Sequence, residues 1–243
     1  MRVRLDTLLV ARGLAGSREQ AKRLVLAGAV RVAGQLARKP SDLVAAEAAL
    51  TVAAGEKFVS RGGHKLEAAL TSFHLDCRDA VCADLGASTG GFTDCLLQHG
   101  ARRVHAVDVG KGQLDWKLRQ DQRVVVHEAL NARYLTPADI GEPVDLVTID
   151  VSFISLAKVL PAAAALLPPG GRLVALIKPQ FEAGKKFVNK GGVVRDSAVH
   201  ERVKTEITTL AVTTLGLELL GVIESPLLGP AGNKEFLIGL RKP

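Results

Sequence analysis

From residue 80 onward the chain alternates short, continuous apolar runs with longer stretches whose apolar residues recur every three to four positions. The runs are VCADLG, RRVHAVDV, RVVVHEAL, PVDLVTID and GRLVALIKP, each bounded by glycine, proline or charge. Strands that are apolar on both faces sit inside a covered sheet, and strands alternating with helices pair in parallel. The pattern predicts a doubly wound α/β domain. The first sixty residues read differently. LDTLLVARGL and SREQAKRLVLAGAV predict two short helices, the second opened by a capping box at Ser17 and Gln20, striped by Ala21, Leu24 and Val25 and ended at Gly28. Val30, Arg31 and Val32 with Ala33 and Gly34 then read as a strand entering a tight turn. Between the two patterns, RGGHKLEAAL (61–70) predicts an amphipathic helix with a lysine, Lys65, at its start, where the macrodipole favours carboxylates over cations. A small α+β domain over residues 1–59 joined to a large α/β domain over 60–243 is the expected organisation.

Composition narrows the function classes. The 243 residues carry a net charge of +7. Residues 1–59 hold ten Lys and Arg against five acids, so only +2 is left for the rest of the chain. A basic module beside a near-neutral one implies a polyanion-binding appendage on a catalytic or ligand-binding domain. The longest apolar stretch, VLPAAAALLPPGGRLVALI, is interrupted by Pro161, Pro168, Pro169, Gly170, Gly171 and Arg172, so no membrane-spanning helix is expected. Asp6 and Arg12 interrupt the apolar N-terminus, which argues against a signal peptide. Three cysteines without a CxxC pair argue against a disulfide framework or a structural zinc site, and the six histidines show no ligand spacing. A cytoplasmic, metal-free monomer is expected.

In an open α/β sheet the ligand lies beyond the carboxyl ends of the strands, so the residues there are the candidates. ADLGASTGGFTDCLL places Asp84 at a strand end, then Gly86, Ser88, Gly90, Gly91 and Phe92 in a turn and the start of a helix. The GxxxGG spacing departs from the dinucleotide fingerprint, and no GK[ST] follows for a triphosphate. Asp108 ends the next strand, where a carboxylate can hold ribose hydroxyls. Loop and carboxylate together resemble the S-adenosylmethionine site of class I methyltransferases, which implies a Rossmann-like fold and that cofactor. Asn131, after the third strand, is at a position where such enzymes contact adenine; a helix cap is the alternative reading.

Asp150 and Lys178 end two further strands, and Glu235 precedes a late one. With Lys65 they form a Lys-Asp-Lys-Glu set that resembles the catalytic tetrad of FtsJ-like ribose 2′-O-methyltransferases. LDTLLVARGLAGSREQAKRLVLAGAVRVAG resembles the S4 RNA-binding domain. KFVSRGGHKLEAAL, DLGASTGGFTDCLL, IDVSFISL, IKPQFEAG, KGGVVRD and GPAGNKEFLIG resemble the TlyA family, in which these two domains are joined. The resemblance implies methylation of a cytidine ribose in ribosomal RNA, with ribosomal subunits as partners. Arg4, Arg18, Lys22 and Arg23 on the small domain, and Lys185 and Lys186 in a glycine-containing loop, are the candidate RNA contacts. A ribose hydroxyl is a poor nucleophile that must be deprotonated or oriented, and a lysine serves as base only where burial or a neighbouring cation disfavours its charged form. Lys178 is the candidate for that role, and Lys65 is expected to be exposed and cheap to remove. The competing readings are a non-catalytic RNA-binding or ribosome-assembly factor and, from a label attached to the family, a membrane-active haemolysin.

Overall fold

A computed structural model describes residues 2–53 and 56–243. The chain divides into two compact units, one running to Lys57 and the other from Phe58 to Pro243. In the first, β1 (Arg2–Arg4) leads into α1 (Leu5–Ala11) and α2 (Arg18–Leu26), followed by β2 (Val30–Val32), β3 (Gln35–Leu36), β4 (Leu43–Ala45) and β5 (Leu50–Val52). β2 pairs antiparallel with both β3 and β5, and β1 with β4. The predicted cap forms in part. Ser17 accepts from the Gln20 amide, while the Gln20 side chain accepts from Gly16 rather than closing the box on Ser17. Ala33 (φ 49°) and Gly34 (φ 81°) supply the left-handed turn between β2 and β3. Leu5, Leu9, Ala21, Val25 and Val30 form the core of this unit.

The second unit contains α3 (Gly62–Ser72), β6 (Val81–Leu85), α4 (Gly91–Gln98), β7 (Arg103–Asp108), α5 (Trp116–Gln120), β8 (Val124–Glu128), α6 (Pro137–Ile140), β9 (Leu146–Ile149), α7 (Leu160–Leu166), β10 (Arg172–Ile177), α8 (Pro179–Glu182), α9 (Ser197–Thr209), β11 (Glu218–Glu224) and β12 (Phe236–Arg241). The five apolar runs of the sequence are β6 to β10, and they pair in parallel in the order β10-β9-β6-β7-β8. β12 is the late strand expected after Glu235; it and β11, a strand the sequence pattern did not single out, extend the β10 edge antiparallel. One face packs Leu66, Leu70, Cys95 and Leu96 of α3 and α4 onto Cys82, Leu146, Val174 and Leu176. The other packs Leu160 and Ala163 of α7 and Val203 and Ile207 of α9 onto Ala83, Val147, Ala175 and Ile177. The strand order reverses between β6 and β9, so the crevice that accepts a ligand opens at their carboxyl ends.

Candidate active site

The register of the sheet sets the level of each functional side chain. Asp84 is opposite both Ala106 and Thr148, so Gly86, Asp108 and Asp150 lie one two-residue repeat further along, level with one another. Thr148 is opposite Val174, so Ser152 and Lys178 share the next level. Gly86 has φ 86°, and a Cβ there would lie 2.6 Å from the Asp150 carbonyl oxygen. A Cβ at Gly91 would collide with the Ser60 hydroxyl. The glycines predicted to admit a ligand thus also admit neighbouring backbone, fastening the loop to the segment that carries Asp150.

Two lysine–carboxylate pairs line one cleft of about 830 Å³ together with Gly86, Ser88, Gly91 and Phe92. Lys65 on α3 donates to Glu235 Oε2 at 2.5 Å, and Glu235 is 1% exposed. Lys178 Nζ lies 2.6 Å from Asp150 Oδ1 and donates to Ser152 Oγ at 2.9 Å. Asp150 Oδ1 is thus met by the Lys178 ammonium, while Glu235 Oε1 is buried with no hydrogen-bond partner among the described residues. Lys65 is 8% exposed, which corrects the expectation of a solvated helix-start lysine. Its charge is compensated by a carboxylate 170 positions away, a partner no local pattern reveals.

A second pocket of about 350 Å³ shares Gly86, Ser88, Asp150 and Ser152 with the cleft and adds Val107, Asp108, Leu130, Asn131 and Ile154. Asp108 accepts from the amides of Ser88 (2.9 Å) and Gly110 (2.7 Å), and each oxygen keeps a lone pair for a further donor. Asn131 caps a 3₁₀ turn by accepting from Arg133 N while also lining this pocket, so the two readings of that residue coexist. Apolar walls suit a planar ring, Asp108 suits a diol, and the loop from Asp84 to Gly91 carries no cation for a phosphate. Gly90 (φ 96°) caps α4.

Asp84 lines neither pocket, contrary to its assignment as a cofactor ligand. One repeat below Asp108, roughly 6.6 Å by strand geometry, it is fully buried and accepts from Thr93 Oγ1 (2.8 Å) and Thr148 Oγ1 (3.0 Å). Burial pushes its carboxyl up to about 7 despite those two donors. It acts under the loop rather than on a ligand.

The sequence missed several residues of the cleft. Ser152 could have been found from the two-residue repeat after Asp150. Phe153, 92% exposed with φ 63°, presents a ring beside Phe181 (centroids 5.4 Å apart). Glu182 accepts from Ser155 Oγ (2.6 Å) and Leu156 N (2.7 Å), tying α8 to the loop that bears Phe153. Arg61 and Gln180 also line the cleft. Lys185 and Lys186 are exposed in a 3₁₀ turn and do not line it. Their loop is held near it by Asn233, which accepts from Val194 N and donates to Gly192 O, both at 2.9 Å. On the smaller unit Arg4 and Arg18 both bind the buried Asp6 (2.8 and 3.1 Å), Lys22 binds Glu19 (2.6 Å), and Arg23 lies exposed in the last turn of α2. Among the described residues no cluster of three His, Cys, Asp or Glu could hold a metal, and no helix is long and apolar enough to cross a membrane.

Comparison with known proteins follows this division of the chain. Residues 58–242 match the FtsJ-like methyltransferase model and residues 3–50 the S4 domain model. The 16S/23S rRNA (cytidine-2′-O)-methyltransferase TlyA of Mycobacterium tuberculosis is 50% identical over 242 residues, covering 99% of this chain and 90% of that relative. A solved structure from Streptococcus thermophilus, of a protein called a hemolysin, is 47% identical with TM-score 0.75, covering 99% of this chain and 88% of its own. An S-adenosylmethionine dependent methyltransferase from Mesorhizobium loti, 16% identical with TM-score 0.52 over 72% of this chain and 96% of its own, shares the fold of the larger unit.

Proposed function

The chain belongs to the FtsJ-like methyltransferase family, joined here to an S4 domain, and from that premise we propose that it methylates the ribose 2′-hydroxyl of a cytidine in ribosomal RNA, with S-adenosylmethionine as donor. The observation that carries the reading is the pair of braced lysines in one cleft, adjoining a pocket whose walls suit an adenosine. S-adenosylmethionine supplies, when bound, a methyl group made electrophilic by its sulfonium. Asp108 and Asn131 are the residues to hold its nucleoside part, and the Gly86 segment the residues to hold the rest.

The remaining work falls to the chain's own residues. Asp150 and Ser152 hold the Lys178 amine from two sides, so its position is set before a substrate arrives. The amine is then available to orient the 2′-hydroxyl and to take part in moving its proton. The side chain of Asp150, part-exposed to the cleft, is placed to accept from the hydroxyl. Alignment of this kind is worth as much as proton transfer itself. The S4 unit supplies cations for the RNA backbone, a contact that releases counterions and steepens the salt dependence of binding.

The test is transfer of tritium from labelled donor to ribosomal subunits from a strain lacking the protein, followed by digestion to nucleosides. Label in 2′-O-methylcytidine is expected. Label on a base, or none in ribosomal RNA, overturns the assignment and returns the chain to a non-catalytic RNA-binding role. The hemolysin name of the structural relative suggests a membrane activity, but no feature of the cleft serves one.

A further inference from the structure

We infer that the RNA chain leaves the cleft over a low saddle made by Gly192, Ala231 and Gly232, and that a phosphate next to the target nucleotide is held beyond it by Arg195 and Lys234. The inference deepens the proposed function and rests on it for the presence of RNA in the cleft. On the far side of the saddle is a cavity of about 410 Å³ lined by Arg195, Ser197, His200, Gly232 and Lys234. Ala231 lines both this cavity and the cleft. The partition between them is a single layer of backbone, because residues adjacent in sequence face opposite sides of it. Asn233 and Glu235, each 1% exposed, line the cleft, while the exposed Lys234 between them lines the cavity. Gly192 lines the cleft, and Val193 to Arg195 line the cavity. The Asn233 side chain ties the two strips of the partition together through Gly192 O and Val194 N.

The exposed rim of this partition is bare. Gly192 (φ 73°) and Gly232 (φ 86°) take left-handed backbone conformations, and the place a Cβ would occupy on either is open space. Such a rim lets another chain pass close to the backbone. A nucleotide whose ribose is at Lys178 carries a phosphate on each side of that ribose, so its chain must leave the cleft somewhere. The cavity beyond the rim has the chemistry to receive it. No carboxylate lines it. Arg195 is exposed and makes no ion pair among the described residues, and a guanidinium can meet a phosphate with two parallel hydrogen bonds. Lys234 is about half exposed and pairs with the equally exposed Glu224 at 3.0 Å, a contact weak enough to be exchanged for a phosphate. His200, 5% exposed, donates to Val194 O and so braces the wall behind the two cations. The cavity shares no residue with the nucleoside pocket at Asp108, which leaves it to the RNA rather than to the methyl donor.

The experiment measures binding of ribosomal subunits over a salt series, beside KM and kcat for tritium transfer. Arg195→Ala and Lys234→Ala should each raise KM for subunits by about 10-fold and make the plot of log affinity against log salt shallower by about one unit. Affinity for S-adenosylmethionine by calorimetry, kcat and the urea midpoint should stay at the wild-type values. Arg102→Ala removes the same charge from an exposed position before β7, at the opposite end of the sheet, and should change neither KM nor slope. Ala231→Leu alters no charge but stands a side chain on the saddle; it should raise KM for subunits by about 10-fold and leave donor affinity intact. Wild-type slopes in both charge variants, or an equal change in Arg102→Ala, would show that no phosphate is held there and overturn the inference. So would a fall in kcat or in donor affinity without a change in slope, and so would an unchanged KM in Ala231→Leu, which sends the chain by another route. If wild type transfers no label to a 2′-oxygen while the slopes shift as stated, the proposed function fails and the phosphate site stands; if label appears and the slopes do not shift, only the phosphate site fails.

Discussion

The two lysine–carboxylate pairs of the cleft use the same residue types at different depths. Lys65 joins α3 to the segment before β12, and its partner Glu235 is 1% exposed. Lys178 joins the ends of two adjacent strands, and the side chain of its partner Asp150 remains 23% exposed. A sealed ion pair contributes little net stability when intact, because desolvation offsets attraction, yet losing one member strands the other in a low dielectric. An open pair can rehydrate the member left behind, and it can share its charges with an incoming substrate. Both pairs therefore serve the cleft, but only the Lys65–Glu235 pair also braces the chain.

The largest effects should separate these roles. Lys178→Ala should lower turnover ~10²–10⁴-fold with little change in the denaturation midpoint, measured by tritium transfer beside urea unfolding. Lys65→Ala should lose activity as well and lower the unfolding free energy by about 3–5 kcal/mol, since Glu235 then has no cation. Replacing both members, Lys65→Met with Glu235→Leu, should recover most of that stability and none of the activity. An unchanged midpoint in Lys65→Ala would remove the bracing half of the comparison; a large stability loss in Lys178→Ala would erase the difference between the pairs.

That contrast also marks what the sequence could and could not reveal. Strand ends are legible because apolar runs stop at them, so Asp150 and Lys178 were found from pattern, and Glu235 from its place before a strand. Depth is not legible. Asp84, Asp108 and Asp150 all follow apolar runs, and only the register shows that Asp84 sits one repeat lower, against Thr93 and Thr148, while the other two reach the crevice. Lys65 was misread for a related reason, since burial of a lysine depends on a carboxylate brought to it by the whole fold. Ser152 and Phe153 fell outside the pattern because their roles come from a loop, where periodicity carries no signal.

Asp84 sharpens the comparison as a sealed carboxylate with no cation at all. Its folded pKa is raised to about 7, above the unfolded value, so the folded state holds a proton that the unfolded state releases. Stability should fall as pH rises from about 4 to about 7 and level off above, by an amount on the order of a few kcal/mol. Asp84→Asn, which keeps the shape and can accept from one threonine while donating to the other, should flatten this fall in melting temperature between pH 5 and pH 8. It should not abolish it, because burial also raises Glu182. An equally steep profile in Asp84→Asn would mean that another group drives it.

The smallest effects belong to the S4 unit, where Asp6 is again a sealed carboxylate but its cations are the half-exposed Arg4 and Arg18. Hydrogen bonding to Arg4 leads the effects that hold its carboxyl well below the usual range, so its contribution is lost only in acid and does not overlap the Asp84 window. The two arginines neutralise a buried charge while their side chains remain about half exposed. Lys22, paired only with the exposed Glu19, and Arg23 have no such inner task. Lys22→Ala and Arg23→Ala should each make the plot of log affinity for ribosomal RNA against log salt shallower by about one unit and leave the melting temperature unmoved. Arg18→Ala should change both, because Asp6 then depends on Arg4 alone. Filter binding over a salt series, run beside thermal unfolding, reads the two effects separately. Slopes that stay at the wild-type value in the Lys22 and Arg23 variants would show that RNA meets some other face of this unit, and a melting temperature unmoved in Arg18→Ala would show that one arginine suffices to hold Asp6.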